Sequence, residues 1–439
     1  MKKKYRIILY TSIFLLCVVA SIILVVKKSN SVYEEESKPK VVKHKSMLSM
    51  NLEQTAGSGD YKTVTQSSWP TEGYKFNAEL SKCENGSTLS WDDTKKAVIM
   101  QGNVSDKCYV YFDIWIPSIA DYCTSGTDLA TCVKNFGDQG PSVSNIYIHN
   151  SSLTNGAGDN SYRYAGANPN NFVCFGSDAS PCPIDNLYRI IGVFGENYHG
   201  ANGKQLVKLI KYDYMTTDEL GTDGDYSQTY KEWGMASTYK GTYGDGERIG
   251  VYYWNYKATG SATNTWSTSL LNKTNLNTNF INNIGTTWAN KIATVTWKVG
   301  GNTWDNIGTK TSSVAYTNEI TNPVTTNTTD NATTYSAKIG LMYVSDYGFA
   351  ASPDAWTLTM SSYNNTTATN NNWMYMGLYE WTISRSADYS EIAFFVNNDG
   401  RVINHYVRNK FGVRASFNLE SSVSYVSGSG SMSDPIVIN

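Results

Sequence analysis

The chain has 439 residues, enough for roughly two or three domains, and 36 basic against 38 acidic side chains leave a formal net charge of −2. That balance offers no basic surface to neutralise phosphates, which excludes nucleic acid as an expected partner. Charged residues are 17% of the chain against about 25% in an average globular protein, while aromatics reach 13%, with 32 Tyr and 12 Trp. A Tyr-, Asn-, Ser-, Thr- and Gly-rich mixture favours β structure with long polar loops, and it is also the palette of binding loops.

The segment from Ile7 to Val26 carries no charge. At about 1.5 Å per residue it reaches roughly 30 Å, the thickness of a bilayer's hydrocarbon core. Lys2, Lys3, Lys4 and Arg6 precede it, and a short basic segment ahead of a first span stays inside. The expectation is a cytoplasmic tail over 1–6, a single-pass transmembrane helix over 7–26, and an ectodomain at the cell surface. The competing reading is a cleaved signal peptide, but Val25, Val26, Lys27, Lys28 and Ser29 give no small-x-small cleavage pattern.

Residues 27–60 alternate charge blocks, Glu34 to Glu36 and then Lys38, Lys40, Lys43 and Lys45, and read as a stalk. From 61 to 115 the pattern turns to β, with runs at Lys75–Leu80, Thr88–Trp91, Ala97–Met100 and Cys108–Phe112 broken by Gly86, Gly102 and Asn103. So small a β module is marginal without a staple.

A larger α+β domain is expected over 116–439. It opens on a short looped or helical piece, Asp121 to Val133, and continues into paired core strands at Leu187–Phe194 and Leu206–Ile210. The clearest helical pattern runs from Trp266 to about Ile292, where Leu276, Phe280, Ile284 and Trp288 recur at four-residue steps. Ser267 or Thr268 is placed to cap it, and Gly285 is placed to stop it. An Asn/Thr-rich loop from about Gly300 to Thr334 is too long for a plain connection and reads as functional or mobile. Strands are expected at Gly340–Ser345, Glu380–Arg385, Ile392–Val396, Val402–Val407 and Val413–Leu419. A second Asn/Thr loop covers Ser361–Asn372, and Asn397–Asn398–Asp399–Gly400 forms a hairpin turn.

Of the seven cysteines, Cys17 falls in the span and the other six lie beyond it. An even exported set reads as disulfides in one of many connectivities, and sequential pairing is expected: Cys83 with Cys108, Cys123 with Cys132, and Cys174 with Cys182. In the chain-entropy view each short loop contributes about 2.5 kcal/mol and the longer one about 3.5 kcal/mol. With four His and no C-x-x-C, zinc is not expected.

The order of motifs from Leu187 to Leu419 resembles an uncharacterised domain that recurs in exported proteins of gut-dwelling Gram-positive bacteria. The residues that carry the resemblance are Trp266-Ser-x-Ser-Leu270, Glu380-Trp-Thr-x-Ser-Arg385, Ala393-Phe-Phe-Val396, Asp399-Gly400 and Phe411-Gly-Val-Arg-Ala-Ser-Phe-Asn-Leu419. More remotely the chain is similar to the C-type-lectin-like fold of formylglycine-generating enzymes and of retroelement variable proteins. The resemblance implies scaffold roles for Trp381, Arg385, Gly412, Val413 and Arg414, with Gly412 at a tight backbone position and Arg414 in a structural hydrogen bond. Ala415 stands where the domain usually has proline. Formylglycine generation needs a late cysteine, and none follows Cys182; the Glu-Pro-Asn and Trp-Asn-Asp motifs of calcium lectins are also absent.

No nucleophile is paired with a base in the sequence. Gly428-Ser429-Gly430-Ser431 lacks the strand-to-helix setting of a nucleophile elbow, His199 and His405 stand alone, and Asp388 with Glu391 makes no convincing acid/base pair. Asp218, Glu219, Asp223 and Asp225 around Gly221 and Gly224 leave calcium open as a cofactor, although their spacing matches no EF-hand loop. The remaining candidates are aromatics in or beside polar loops: Trp356, Tyr363, Trp373 and Tyr375 as ligand-binding residues, with Trp297 and Trp304 bordering the other long loop. Each of these also suits a β core. The expected function is a membrane-anchored binding or structural protein that meets an extracellular glycan or protein; the alternative is an extracellular glycan or cell-wall hydrolase.

Overall fold

The computed structural model describes residues 48–439 except 66–67, 71, 104, 196–198, 202, 234–238, 245, 303–306, 324–331 and 365. The expected tail, span and most of the stalk lie outside the described residues, as does Trp304; among the described residues no helix is long and apolar enough to cross a membrane. The chain divides into two units, Met1–Ile116 and Pro117–Asn439, and is mainly β with few helices.

The first unit holds β1 (Leu48–Glu53), β2 (Tyr61–Val64), β3 (Tyr74–Phe76), β4 (Lys82–Cys83), β5 (Thr88–Asp92), β6 (Ala97–Gln101) and β7 (Cys108–Ile114). Its sheet runs β2-β1-β7-β3, β4 also pairs with β7, and β5 and β6 form a separate hairpin. β1 corrects the expected stalk boundary: residues 48–53 form an inner strand, parallel to β7 from Leu48↔Cys108 to Leu52↔Phe112. The charge pattern hid it because Glu53 is used inside, where its carboxylate accepts from Ile114 N at 2.9 Å and Gly59 N at 3.1 Å. β7 alternates as a half-buried strand should, sending Val110 and Phe112 into a small core where Trp91 meets Phe112 edge-on at 5.6 Å.

In the second unit the central sheet orders its strands Ile339–Gly340, Ser416–Asn418, Leu206–Lys211, Leu187–Phe194, Tyr162–Tyr164 and Ile146–Ile148, with Phe172–Cys174 also pairing to Leu187–Phe194. Every residue of Leu187–Phe194 and Leu206–Lys211 is buried, so both faces are covered and the runs read as continuous rather than alternating. A second sheet joins Gly301–Asn302, Glu380–Ser386, Ile392–Val396 and Val402–Tyr406, the last two through the turn in which Gly400 N donates to Asn397 O at 2.9 Å.

Several expectations need correction. The 266–292 helix is broken: a short 3₁₀ turn at Trp266–Thr268, a π-wound stretch Leu271–Phe280, and α-helical pieces Ile281–Asn283 and Gly285–Ala289 around Gly285 at φ +76°. Its cap is Ser269, whose Oγ accepts from Asn272 N at 3.1 Å, rather than Ser267 or Thr268. The strand expected at Gly340–Ser345 ends at Gly340, and Val344–Ala350 is a buried helix, because Asp346 Oδ2 accepts from Tyr343 N at 3.0 Å and caps it. The long 300–334 loop contains an α-helical turn at Ser312–Tyr316 that continues π-wound through Thr317–Thr321 and buries Ala315, Tyr316, Glu319 and Ile320. The 361–372 loop likewise holds a short helix, Thr366–Asn370.

The motif residues of the 187–419 resemblance sit deep. Arg414 donates to Glu380 Oε1 at 2.8 Å and Met374 O at 2.7 Å, and a Cβ on Gly412 would lie 2.8 Å from the Tyr214 ring. Trp381 Nε1 donates to Tyr252 O at 3.0 Å, and Arg385 Nε donates to Val299 O at 2.6 Å.

The six described cysteines form three disulfide-capable pairs, Cys83 with Cys108, Cys123 with Cys132 and Cys174 with Cys182, at Cα separations of 4.0, 5.1 and 5.9 Å. Cys83 and Cys108 are direct register partners of β4 and β7. Opening the loop between them removes about 3.5 kcal/mol from a unit with so small a core. The Cys83→Ser/Cys108→Ser chain should therefore lower the melting midpoint of this unit by more than about 10 °C in calorimetry, and non-reducing peptide mapping of the unmodified chain should recover all three sequential links.

Candidate functional site

A cavity of about 240 Å³ opens in the second unit between the Phe172–Cys174 and Leu187–Phe194 strands and the chain around 369–376. It is built on an arginine placed inside an otherwise apolar strand. Arg189 faces Phe172 in register, and its guanidinium lies 4.4 Å from the Phe172 ring and 4.6 Å from that of Trp373, a sandwich that holds it flat. Its Nε donates to Asn171 Oδ1 at 2.7 Å, and its terminal nitrogens donate to Pro169 O at 2.9 Å and Trp373 O at 3.3 Å.

Trp373 is held from the other side, with its backbone N donating to Gly166 O at 2.9 Å and its indole Nε1 to Tyr164 O at 2.9 Å. Tyr375 donates to Asn398 O at 2.5 Å, and Lys240 Nζ lies 4.5 Å above its ring while donating to Thr369 O at 3.2 Å. Tyr212 meets Phe172 edge-on at 5.2 Å and adds a phenol to the wall. Asn168, Asn170 and Asn370 complete the rim, and among the described residues their side-chain amides have no hydrogen-bond partner in the protein. The cavity thus offers aromatic edges, free amides and two cations, a lining suited to binding a polar ligand.

Two of the four aromatics expected to bind ligand, Trp373 and Tyr375, line this cavity; the other two do not. Trp356 is 1% exposed, donates to Ala351 O at 2.9 Å and packs on His149 and Phe349. Tyr363 is fully buried, with its hydroxyl on Gly348 O at 3.0 Å. Neither presents a ring face to solvent, and Trp297 is likewise a core residue. The cavity residues not singled out from sequence are Arg189, Lys240, Phe172, Tyr212 and the amides. Only Arg189 left a signal, as a charge in the middle of Leu-Tyr-Arg-Ile-Ile-Gly-Val-Phe.

Three of the four clustered acidic residues are held by contacts within the protein. Glu219 pairs with Lys211 at 2.6 Å and closes a capping box with Thr216, Asp223 accepts from Asn279 at 2.6 Å, and Asp225 accepts from Leu270 N and Leu271 N. Burial pushes the Asp225 carboxyl up to about 6. Among the described residues no group of three His, Cys, Asp or Glu is arranged to hold a metal ion.

A wider groove of about 430 Å³ is lined by Ser390, Glu391, His405 and the half-exposed rings of Tyr389 and Tyr406. His405 turns its ring nitrogens to Tyr406 N at 2.8 Å and to the Asn409 amide at 3.1 Å, which leaves it unpaired with Ser390. The chain from Ser429 to Asp434 is a tight turn closed on the Asp434 carboxylate.

His199 is not alone as the sequence suggested. It belongs to a buried charge network in which Asp159 Oδ2 takes His199 Nε2 at 2.9 Å, Arg163 at 2.9 Å and Tyr316 OH at 2.8 Å. Asp346 holds Lys208 Nζ at 2.5 Å and faces Arg163 at 3.5 Å. Burial works against ionisation of Asp346, but Lys208 and Arg163 outweigh it and hold the carboxyl below its usual range. Glu319 lies nearby without a cation: Ser384 Oγ donates to it at 2.5 Å and Ser345 N at 3.1 Å, yet burial, reinforced by Asp346, pushes its pKa up to about 7.

Comparison with protein-family models, with curated proteins and with solved structures finds no match. The resemblance to the exported domain rests on its motif residues alone.

The Glu319 carboxyl binds its proton more tightly folded than unfolded, so its contribution to stability is full below about pH 4.5 and is lost as pH rises through about 7. Burial makes His149 and His199 harder to protonate, which gives the opposite slope below their ordinary value of 6.5, so a difference measurement is needed. Urea unfolding of Glu319→Gln should match the parent near pH 4.5 and exceed it by roughly 1–3 kcal/mol at pH 8. A pH-independent difference would show that the carboxyl does not titrate in this window.

Proposed function

We propose that this protein is a binding module held outside the cytoplasm by its N-terminal span, and that its larger unit takes a sugar-sized polar ligand in the cavity built on Arg189 and Trp373. The observation that carries the reading is the set of side-chain amides on the rim, Asn168, Asn170 and Asn370, which have no protein partner among the described residues and stand beside aromatic edges. Amides next to aromatic edges offer both hydrogen bonds and apolar contact to a polyhydroxylated ring.

The volume, about 240 Å³, matches a single ring rather than an extended chain; at about 30 Å³ per water it replaces roughly eight waters. Export is supported by the basic residues ahead of the uncharged 7–26 run and by six cysteines in three sequential couples. A C-type-lectin-like architecture for this unit belongs to the same proposal and rests on the motif order from Leu187 to Leu419.

The alternative, hydrolysis of a glycan or cell wall, needs a carboxylate or nucleophile poised with a base. The groove of Glu391 and His405 is where that chemistry would be sought. Incubating the detergent-solubilised full chain with a glycan array and with purified cell wall separates the two. Retention of the protein on glycans without release of soluble sugar is the expected result. Steady release of soluble fragments, abolished in Glu391→Gln, would replace the binding reading with the hydrolase.

A further inference from the structure

We infer that the ligand of the Arg189 cavity is an anion, and specifically a sugar ring bearing a carboxylate; this rests on the binding reading given above. The starting observation is an imbalance of charge. Arg189 is 5% exposed, and all of its hydrogen bonds go to neutral oxygens, those of Asn171, Pro169 and Trp373. Among the described residues no carboxylate pairs with it.

Four other buried cations of the same unit are compensated. Arg163 is placed on Asp159 and Asp346, Lys208 on Asp346, Lys211 on Glu219 and Arg414 on Glu380. A buried charge is normally paired, because desolvation is repaid only by an opposite charge with good geometry. Arg189 has hydrogen bonds but no counter-charge, and burial draws its pKa down to about 9.

The second observation lies at the mouth of the same cavity. Lys240 sits on the Tyr375 ring and on the Thr369 carbonyl, and it too has no carboxylate partner among the described residues. None of the residues lining the cavity is acidic. Two uncompensated cations in a concavity with neutral walls make a field that favours a negative ligand. A carboxylate suits it, since a guanidinium held flat between rings presents its remaining N–H groups in one plane. The amides of Asn168, Asn170 and Asn370 are then left for hydroxyls around the ring, and the edges of Trp373 and Tyr212 for its carbon face.

Isothermal titration of the full chain in detergent with glucuronate, glucose and inorganic phosphate tests the assignment. Glucuronate should bind at least about tenfold tighter than glucose, with an affinity that falls as salt rises. Lys240→Gln, a change at an exposed side chain, should weaken glucuronate about tenfold and narrow its advantage over glucose. Arg189→Met should abolish glucuronate binding; because Arg189 also braces the cavity, its melting curve must be read alongside, and Lys240→Gln carries the test if it unfolds.

Equal affinity for glucose and glucuronate would overturn the anion assignment while leaving the binding reading intact. Phosphate binding with no response to either sugar would overturn it in favour of a small inorganic-anion site. Absence of any titration signal, together with no retention on the glycan array, would remove the binding reading itself.

Discussion

Asp346 is the point at which the second unit is tied together. One carboxylate takes Lys208 from the Leu206–Lys211 strand, faces Arg163 from the Tyr162–Tyr164 strand, and caps the helix that follows Tyr343. Arg163 then passes the charge on to Asp159, which holds His199 and Tyr316. Two cations and two carboxylates balance, so the network tolerates burial; removing any one member leaves an unpaired charge at a cost of about 3–5 kcal/mol. Such a network contributes less to net stability than to choosing one arrangement of strands over another.

The sheet is shaped to let this happen. Arg163 and Lys208 stand in register on either side of Gly192, so the three residues form one row across adjacent strands and share a face. A side chain at 192 would fill the space where the two cations converge, and a Cβ there would already lie 2.1 Å from Tyr162 O. A bulge between Ile190 and Gly192 shifts the alternation, so Arg189, three residues back along the same strand and paired with Ile210, stands on the same face of the sheet, sandwiched by Phe172 and Trp373. The balanced network and the unbalanced cation thus share one face of one strand.

Much of the strand framework was legible from apolar runs bounded by turns. Leu187–Phe194 and Ile392–Val396 sit where the pattern put them, and the Asp399–Gly400 turn joins the strands it was expected to join. The failures share a cause. Leu341–Val344 is an apolar run that suits strand and helix equally, and what decides it is a carboxylate two residues on that the sequence does not show to be paired with Lys208 and Arg163. β1 was read as stalk because its buried Glu53 looks like surface charge until its backbone partners are known. At the candidate site, Trp356, Tyr363, Trp373 and Tyr375 share one pattern of aromatics in or beside a polar loop, and all four are buried, yet only Trp373 and Tyr375 border the cavity. Sequence gives the residue type and the loop, and the tertiary position decides which rings border a cavity.

The Tyr- and Asn-rich composition, equally suited to a plain β protein and to a binding surface, resolves when the polar atoms are followed. Long irregular loops bury carbonyls that no ladder satisfies, and this chain meets them with neutral side chains. Tyr347 donates to Gly400 O at 2.7 Å and Tyr252 to Gly221 O at 2.8 Å. Asn264 donates to Ser386 O and Ile392 O, Asn275 to Leu220 O and Asp223 O, and Asn372 to Tyr347 O. Neutral phenols and amides do this at far less desolvation cost than charged groups, which accounts for the low charge content without any appeal to ligands. Asn168, Asn170 and Asn370 are among the amides left out of that internal use, and they lie at the rim of one cavity beside a strand arginine with no carboxylate partner among the described residues. A composition that elsewhere serves the interior faces solvent there, and the proposed binding reading rests on that grouping of amides and cations more than on any single aromatic.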